Sequence, residues 1–308
     1  MATKVTAKPF IKWAGGKTQL LEQLANYYPP QLQEGKIKTY IEPFLGSGAV
    51  FLHIAQQYPL EQVYLFDVNR DLILTYLVIQ QRPDDLLSIL DQYQKQFHCT
   101  PPEKRRQLFL SIRQAFNSNR SGIDYSVANS QHRGIVRAAQ FIFLNKTCYN
   151  GLFRLNSKGE FNVPYGRYSN PKICDPSNIY AVAAVLQQAQ IYYGTYSDCW
   201  ELVTADTFVY FDPPYRPLSA TANFTTYTGV EFTDRHQLEL AHFFRELDRE
   251  KKAKLMLSNS DPQDDFFAQA FGGYNIYRVL ASRAVNSNSA KRGKITELVI
   301  TNYNPIVD

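Results

Sequence analysis

The sequence predicts an α/β fold, a doubly wound and mostly parallel sheet interrupted by a mainly helical insertion. Three observations predict it. Between residues 39 and 67 a strand, a glycine turn, a helix and a second strand follow one another. Helical periodicity then dominates to about residue 150. After residue 176 strands and helices alternate again and end in two strands joined by a polar loop, an antiparallel pair. This order suits an open sheet that binds a ligand and carries an insert. The 308 residues fit two domains, or one with a large insertion, divided here as 1–70 and 176–308 against 71–175.

The first distinctive stretch, FIKWAGGKTQLL at residues 10–21, looks like the tail of a phosphate loop. Such a loop needs a glycine five positions before its last glycine, and Ile11 stands there. Trp13 occupies a place that asks for a small residue, so nucleoside triphosphate hydrolysis is disfavoured. Gly15 and Gly16 let the backbone approach a ligand closely. The simpler alternative is a turn opening a helix at about Lys17, with Trp13 in the core.

TYIEPF (39–44) reads as a strand, GSG as a sharp turn, AVFLHIAQQ (49–57) as an apolar helix and VYLFD (63–67) as a second buried strand. Ligands of open α/β sheets sit at this turn. Asp67, about 20 residues on, stands where a carboxylate accepts bonds from ribose hydroxyls. Phe51 replaces the third glycine of a dinucleotide loop, which favours a nucleoside without a pyrophosphate. DLILTYLVIQ, DDLLSILDQYQKQF, KRRQLFLSIRQAF and IVRAAQFIFLN carry apolar residues at helical spacing. RLNSKGEFNVPYGRY (154–168) reads as a hairpin around Ser157, Lys158 and Gly159. A helix (178–189), the strands QIYYGTY and TFVYFD, a helix over 234–250 capped by Thr233, the strand AKLMLSNS and the final pair YNIYRVLAS and TELVITNY follow.

TFVYFD runs straight into Asp212-Pro213-Pro214-Tyr215. Two prolines fix the backbone and remove two amide donors. An acceptor-rich pocket remains: the Asp212 carboxylate and the Pro213 carbonyl, beside the Tyr215 ring. Such a pocket fits an amino group on a planar heterocycle. Two acceptors on that group draw its nitrogen toward a tetrahedral shape and localise its lone pair, at a cost met by binding and preorganisation. A rigid turn after a strand is the plainer alternative.

Bulk properties narrow the setting. The net charge is +5, with 21 tyrosines and 20 phenylalanines, a mixture that suits nucleic acid and many enzymes. Cys99, Cys148, Cys174 and Cys199 form no CxxC pair, so neither a disulfide framework nor a metal site is expected. No apolar run approaches the ~18 residues of a membrane span, and no signal-peptide core opens the chain, so no membrane partner and a cytoplasmic setting are expected.

FIKWAGGK, EPFLGSGAVFL, LFDVNRDLI, CYNGLFR, GEFNVPYGRY, VYFDPPYRPLSATANFTTY and ELVITNY together resemble the DNA adenine-N6 methyltransferases, in particular the Dam-like group that modifies GATC. The resemblance runs nearly end to end. It implies a class I, Rossmann-like, S-adenosylmethionine-dependent methyltransferase fold with 71–175 as target-recognition domain. Asp212, Pro213, Pro214 and Tyr215 become the catalytic residues. Trp13, Ala14, Gly15, Gly16, Lys17, Glu42, Pro43, Phe44, Gly46, Gly48, Asp67 and Asp212 become the S-adenosylmethionine site. Trp13 packs on the cofactor adenine and Asp67 takes the ribose hydroxyls, while Lys17 binds the cofactor carboxylate or orders the loop.

Double-stranded DNA is the partner the resemblance implies, met by a monomer in a bacterial-type, nucleoid-associated cytoplasm. Lys12, Arg120, Tyr149, Asn150, Leu152, Arg154, Asn156, Pro164, Arg167 and Tyr168 are the DNA-contact candidates. Arg154 suits bidentate contact with guanine, and Tyr149 with Asn150 wedges beside the departing adenine. Arg133, Arg137, Lys146 and Lys158 join Arg120 and Arg167 as phosphate candidates, and the basic loop 286–294 joins them or is a solvated connection. The target leaves the duplex to react, stacks on Tyr215, and is covered by NFTTY (223–227) as a lid. No cysteine lies in a nucleophilic context, which disfavours carbon-5 cytosine methylation. An N4-cytosine methyltransferase, an RNA or protein methyltransferase and a non-catalytic DNA-binding module are the rivals.

Overall fold

The computed structural model describes residues 5–118, 123, 125, 132–217, 232–262, 264–282 and 294–306. Arg120, the proposed lid 223–227 and residues 286–293 of the basic loop lie outside the described residues.

Among the described residues seven strands form one sheet: β1 Thr39–Glu42, β2 Gln62–Asp67, β3 Ala189–Tyr193, β4 Thr207–Phe211, β5 Lys254–Ser260, β6 Asn275–Ser282 and β7 Lys294–Thr301. Their order is β3-β2-β1-β4-β5-β7-β6. The first five pair in parallel, and β7 runs antiparallel between β5 and β6. From β1 the chain moves outward through β2 to β3, and from β4 to β5 on the other side. The β1/β4 boundary is therefore the switch point, where an open sheet binds its ligand at the carboxyl ends of the strands. Glu42 ends β1 and Asp212 follows β4, so both carboxylates stand at that crevice.

The described helices are α1 Leu21–Ala25, α2 Pro30–Gln33, α3 Ala49–Gln57, α4 Arg70–Gln81, α5 Pro83–Cys99, α6 Arg105–Ser118, α7 His132–Thr147, α8 Pro176–Leu186, α9 Asp234–Glu246 and α10 Phe266–Ala270. None is long and apolar enough to cross a membrane. Their starts are set locally. Asn69 accepts from the amides of Asp71 and Leu72 to cap α4, Asp175 caps α8, and Thr233 with His236 closes a capping box on α9.

The alternation of strand side chains divides the core between two faces. Tyr40 and Phe208 point to one face and join Phe51, Leu65 and Phe97, Phe109, Phe116 and Phe143 of α5–α7 in a single apolar cluster. Ile41, Val209 and Phe211 point to the other and meet Leu240 and Phe244 of α9 and Phe271. Every residue of β4 is buried, as expected for a parallel strand covered on both sides.

Four local expectations are corrected. Strand β1 ends at Glu42, because Pro43 has no N–H to continue the ladder. The helix expected at Lys17 begins as a 3-10 turn over Lys17–Gln19, followed by α1. The hairpin over 154–168 is held by single bridges, Leu155 to Phe161 and Cys148 to Tyr165, rather than by two strands. Arg137 is not a surface phosphate contact. It is 2% exposed, its Nη2 donates to Asp71 Oδ2 at 2.9 Å and its Nη1 to the Phe116 carbonyl at 2.7 Å.

Candidate active site

The switch-point crevice is built from three segments. The turn after β1 supplies Phe44, Gly46 and Gly48. Gly46 and Gly48 have φ of 47° and 66°, a region that favours glycine. At either position a Cβ would force a neighbouring side chain to shift: at Gly46 it would lie 2.8 Å from Trp13 Cδ1, and at Gly48 2.7 Å from the Tyr76 hydroxyl. The Tyr76 hydroxyl donates to the Gly46 carbonyl at 3.1 Å. Asp67 closes the turn, accepting from the Gly46 amide at 3.0 Å and the Asn69 amide at 2.8 Å. Burial lifts the Asp67 carboxyl to about 6 against those two bonds. Phe44 stacks on Tyr196 at 5.8 Å, and Pro43 is buried.

The amino-terminal segment crosses this turn. Trp13 is half-buried, stacked on Phe153 at 5.9 Å beside Gly46, and Ala14 is half-buried next to it. The Gly16 amide donates to the Trp13 carbonyl, which makes the chain double back through Gly15 and turns Lys17 inward. Lys17 is 2% exposed. Its ammonium lies 2.7 Å from Asp212 Oδ1, donates to the Gly15 carbonyl at 2.6 Å and stands 4.6 Å above the centre of the Tyr215 ring. Two acceptors and an aromatic face thus converge on one nitrogen. A buried charge needs such a partner set.

The third segment is Asp212-Pro213-Pro214-Tyr215. Burial pushes the Asp212 carboxyl up to about 6, with Lys17 pulling it down and Glu297 raising it. Glu42, 2% exposed, is pushed up to about 8 by burial, although the Tyr40 hydroxyl donates to it at 2.6 Å. The loop is braced from behind. Gln237 Nε2 donates to the Pro214 carbonyl at 2.9 Å, Asn259 Nδ2 donates to Gln237 Oε1 at 3.1 Å, and the Arg216 amide donates to Asn259 Oδ1 at 3.2 Å. Arg216 also pairs with Asp234 and Asp264. The Tyr215 hydroxyl donates to Glu297 Oε2 at 2.6 Å.

Sequence reasoning missed Gln237, Asn259, Arg216 and Glu297. One signal was present for Asn259: the polar run Ser258-Asn259-Ser260 ends a strand that is otherwise apolar and wholly buried from Leu255. Buried polar groups need partners, so such a run marks a network.

The DNA-contact candidates among the described residues gather beside the crevice, at Lys12, the end of α7 and the 148–168 segment. Asn145 fixes the junction by accepting from the Lys12 amide and donating to the Lys12 and Gly151 carbonyls. Tyr149 is 48% exposed, its amide donating to the Pro164 carbonyl. Asn150 and Arg167 hold φ of 55° and 57°, uncommon for residues with a side chain. The Asn150 amide donates to the Tyr168 hydroxyl, and Lys12 lies 4.8 Å over the Tyr168 ring. Arg154 donates to Asn162 Oδ1 at 2.7 Å, while Leu152 is half-buried and Pro164 exposed. Asn156 is committed to its own turn, accepting from the Lys158 and Glu160 amides. Lys12, Lys146, Tyr168 and Lys172 line a cleft of about 290 Å³, in which burial and the neighbouring Lys12 lower Lys146 to about 8. Arg133 is exposed on α7. Cys148 is buried and its thiol pushed up to about 12, which makes it a poor nucleophile.

A family model described as D12 class N6 adenine-specific DNA methyltransferase matches residues 13–285. The chain is 48% identical over 297 residues to the type II methyltransferase M.MjaIII of Methanocaldococcus jannaschii, covering 96% of this chain and 99% of that protein. It is 35% identical to the type II methyltransferase M1.LlaDCHI of Lactococcus lactis subsp. cremoris, with 97% of each covered. It is 32% identical to a DNA adenine methylase of Vibrio cholerae, with 95% of each covered.

Proposed function

The chain belongs to the D12 class of N6 adenine-specific DNA methyltransferases, and from that premise we propose that it methylates adenine N6 in GATC in duplex DNA, by extruding the target base into the Asp212-Tyr215 pocket. The observation that carries this reading is the place taken by the Lys17 ammonium. Asp212 Oδ1, the Gly15 carbonyl and the Tyr215 ring already grip a nitrogen that bears several N–H groups. An exocyclic amino group presents the same donors at the edge of a flat ring.

S-adenosylmethionine is the proposed methyl donor. The residues present fit it on three counts. Asp67 beside the Gly46 turn offers carboxylate oxygens for ribose hydroxyls. The half-buried Trp13 ring offers a face for the purine. Asp212 places a carboxylate at the crevice, which favours a positive sulfonium. When bound, the donor supplies an electrophilic methyl group. The remaining work falls to the chain. Asp212 and the Pro213 carbonyl hold the two amino hydrogens and concentrate the lone pair, and Tyr215 holds the purine plane. Asp212 stabilises the positive charge that develops on nitrogen before its proton leaves. Lys17 yields its place to the amino group and stays beside Asp212, which favours its role in ordering the loop.

Sequence reading is assigned to the insert, 71–175, with 1–70 and 176–308 catalytic. Arg154 and Lys12 face guanine edges, with Leu152, Asn156, Pro164 and Tyr168 shaping the reading surface. Tyr149 and Asn150, carried on a strained and exposed turn, fill the space the adenine leaves. Lys146, Arg133, Arg167, Lys158 and Arg120 meet phosphates. The support for GATC is the likeness to proteins named DNA adenine methylase. A monomer working on cytoplasmic, nucleoid DNA completes the proposal. Methylated positions mapped across duplex DNA of random sequence test it. Adenine modification confined to GATC is expected, and modification of cytosine, or of adenine in other contexts, refutes it.

A further inference from the structure

We propose that Glu297 is a positioning residue of the methyl-transfer reaction, holding the Tyr215 ring by its hydroxyl so that the ring face meets the amino group bound at Asp212. The inference rests on the reading of Asp212-Tyr215 as the target-base pocket, and adds a residue from the far end of the chain.

Tyr215 lies on an irregular segment after β4, where no ladder holds the backbone. A tyrosine ring anchored only at its Cα can swing about χ1 between rotamers. Here the far end is anchored as well, by the 2.6 Å bond to Glu297 Oε2. Glu297 is itself fixed, because it lies within β7, opposite Ser260 of β5 and Val279 of β6. The ring is therefore tied to the sheet at both of its ends, through β4 at its backbone and through β7 at its hydroxyl. Burial, reinforced by the Asp212 and Glu297 charges, pushes the Tyr215 phenol well above its ordinary range, so the hydroxyl remains the donor.

The consequence is geometric. The Tyr215 face and Asp212 Oδ1 converge on one point, marked by the Lys17 ammonium at 4.6 Å from the ring centre and 2.7 Å from the oxygen. A flipped base must satisfy both at once for its nitrogen to lie in line with the methyl group. Stacking alone tolerates sliding of the base over the ring. Freeing the hydroxyl would let ring and base slide together, away from the line of attack. Glu297 touches neither base nor donor, and acts through Tyr215.

The experiment compares E297A, E297Q, Y215F and the E297A/Y215F double variant on duplex DNA with one target site, well above the pH at which Asp212 protonates. Turnover, the Kd for S-adenosylhomocysteine and the fluorescence of 2-aminopurine at the target position are measured. E297A is expected to lower kcat about 10-fold or more, since small misplacements of a reacting group cost that much, while the Kd stays within about twofold. The 2-aminopurine signal is expected to persist with a broadened lifetime distribution. E297Q, whose amide oxygen still accepts from the hydroxyl, is expected within about threefold of the parent. The double variant should be no slower than Y215F alone.

E297A at parental kcat, or losses that multiply in the double variant, overturn the inference. A parallel loss of donor affinity and folding would mark a structural role and overturn it too. Should E297A fail to fold, Y215F decides, because parental turnover without the hydroxyl leaves Glu297 nothing to hold. If the parent protein places no methyl group on adenine, the underlying reading of the pocket fails. If the parent does so and E297A is indifferent, only the role of Glu297 fails.

Discussion

The ammonium of Lys17 and the carboxylate of Asp212 stand 2.7 Å apart, at the point where the amino-terminal turn meets the end of β4. Burial drives Asp212 toward its neutral form, at about 6, and Lys17 is the cation that opposes this. Glu297 works in the other direction, and Glu42 shares the crevice. On the proposed reading the ionised Asp212 carboxylate is the stronger acceptor for an amino hydrogen and the form that stabilises positive charge on nitrogen. Turnover should therefore fall with pH through about 6. In K17M the raising influences act unopposed, so the acidic limb of the kcat profile is expected to move upward by roughly one pH unit or more. A limb that stays in place, or moves down, contradicts the pairing.

Glu42 gives a stability test. Its folded-state carboxyl is raised from 4.5 to about 8 by burial. Between those values the folded protein holds a proton that the unfolded chain has released. Stability is then fully present below the lower value and is lost as pH rises through the upper one. E42Q has no proton to lose. Its Tm advantage over the parent is expected to grow by a few degrees between about pH 5 and about pH 8.5. Thermal scans at the two pH values check this, and a constant or shrinking difference contradicts it.

Arg137 and Lys146 lie on the same helix and should behave oppositely. Removing the buried guanidinium in R137M leaves the Asp71 carboxylate, 13% exposed, without its cationic partner and, among the described residues, with only the Tyr125 hydroxyl donating to it. A loss of about 3–5 kcal/mol is expected in denaturant unfolding, with the salt dependence of DNA binding in the surviving folded protein unchanged. K146Q should unfold like the parent, yet lower the slope of log affinity against log salt by about one, the signature of one phosphate contact.

Gly46 tests the cofactor side. G46A places a methyl group 2.8 Å from Trp13 Cδ1 at a φ of 47°. Trp13 must shift, and its face is the proposed purine platform. Donor affinity, measured by titration calorimetry, is expected to fall about 10-fold or more, while DNA affinity without donor changes little. Unaltered donor binding would remove Trp13 from the site.

Much of this was legible in the chain. Strand β1, the Gly46-Ser47-Gly48 turn, β2 and Asp67 could be read because each signal is local: a buried run, glycines and a carboxylate at a fixed interval. The DPPY segment was legible for the same reason. Arg137 misled because its neighbours in sequence are those of an amphipathic helix, while its partner Asp71 lies 66 residues away. Residues 154–168 read as a hairpin, but Pro164 lacks an amide donor and Gly166 packs against the Cys148 carbonyl, so pairing stops at single bridges. Glu297 was invisible because its partner Tyr215 is 82 residues away and β7 alone gives no reason for a carboxylate there.

The most direct test uses a duplex with a single GATC site, a labelled methyl donor and digestion of the product to nucleosides. The parent protein is expected to put label into N6-methyladenine alone. D212A is expected to lose at least about 100-fold in turnover, the order attached to one preorganised group at the reacting centre, while donor affinity is largely kept. Label on cytosine, no label on adenine, or a D212A protein that still turns over at the parental rate contradicts the assignment of this pocket.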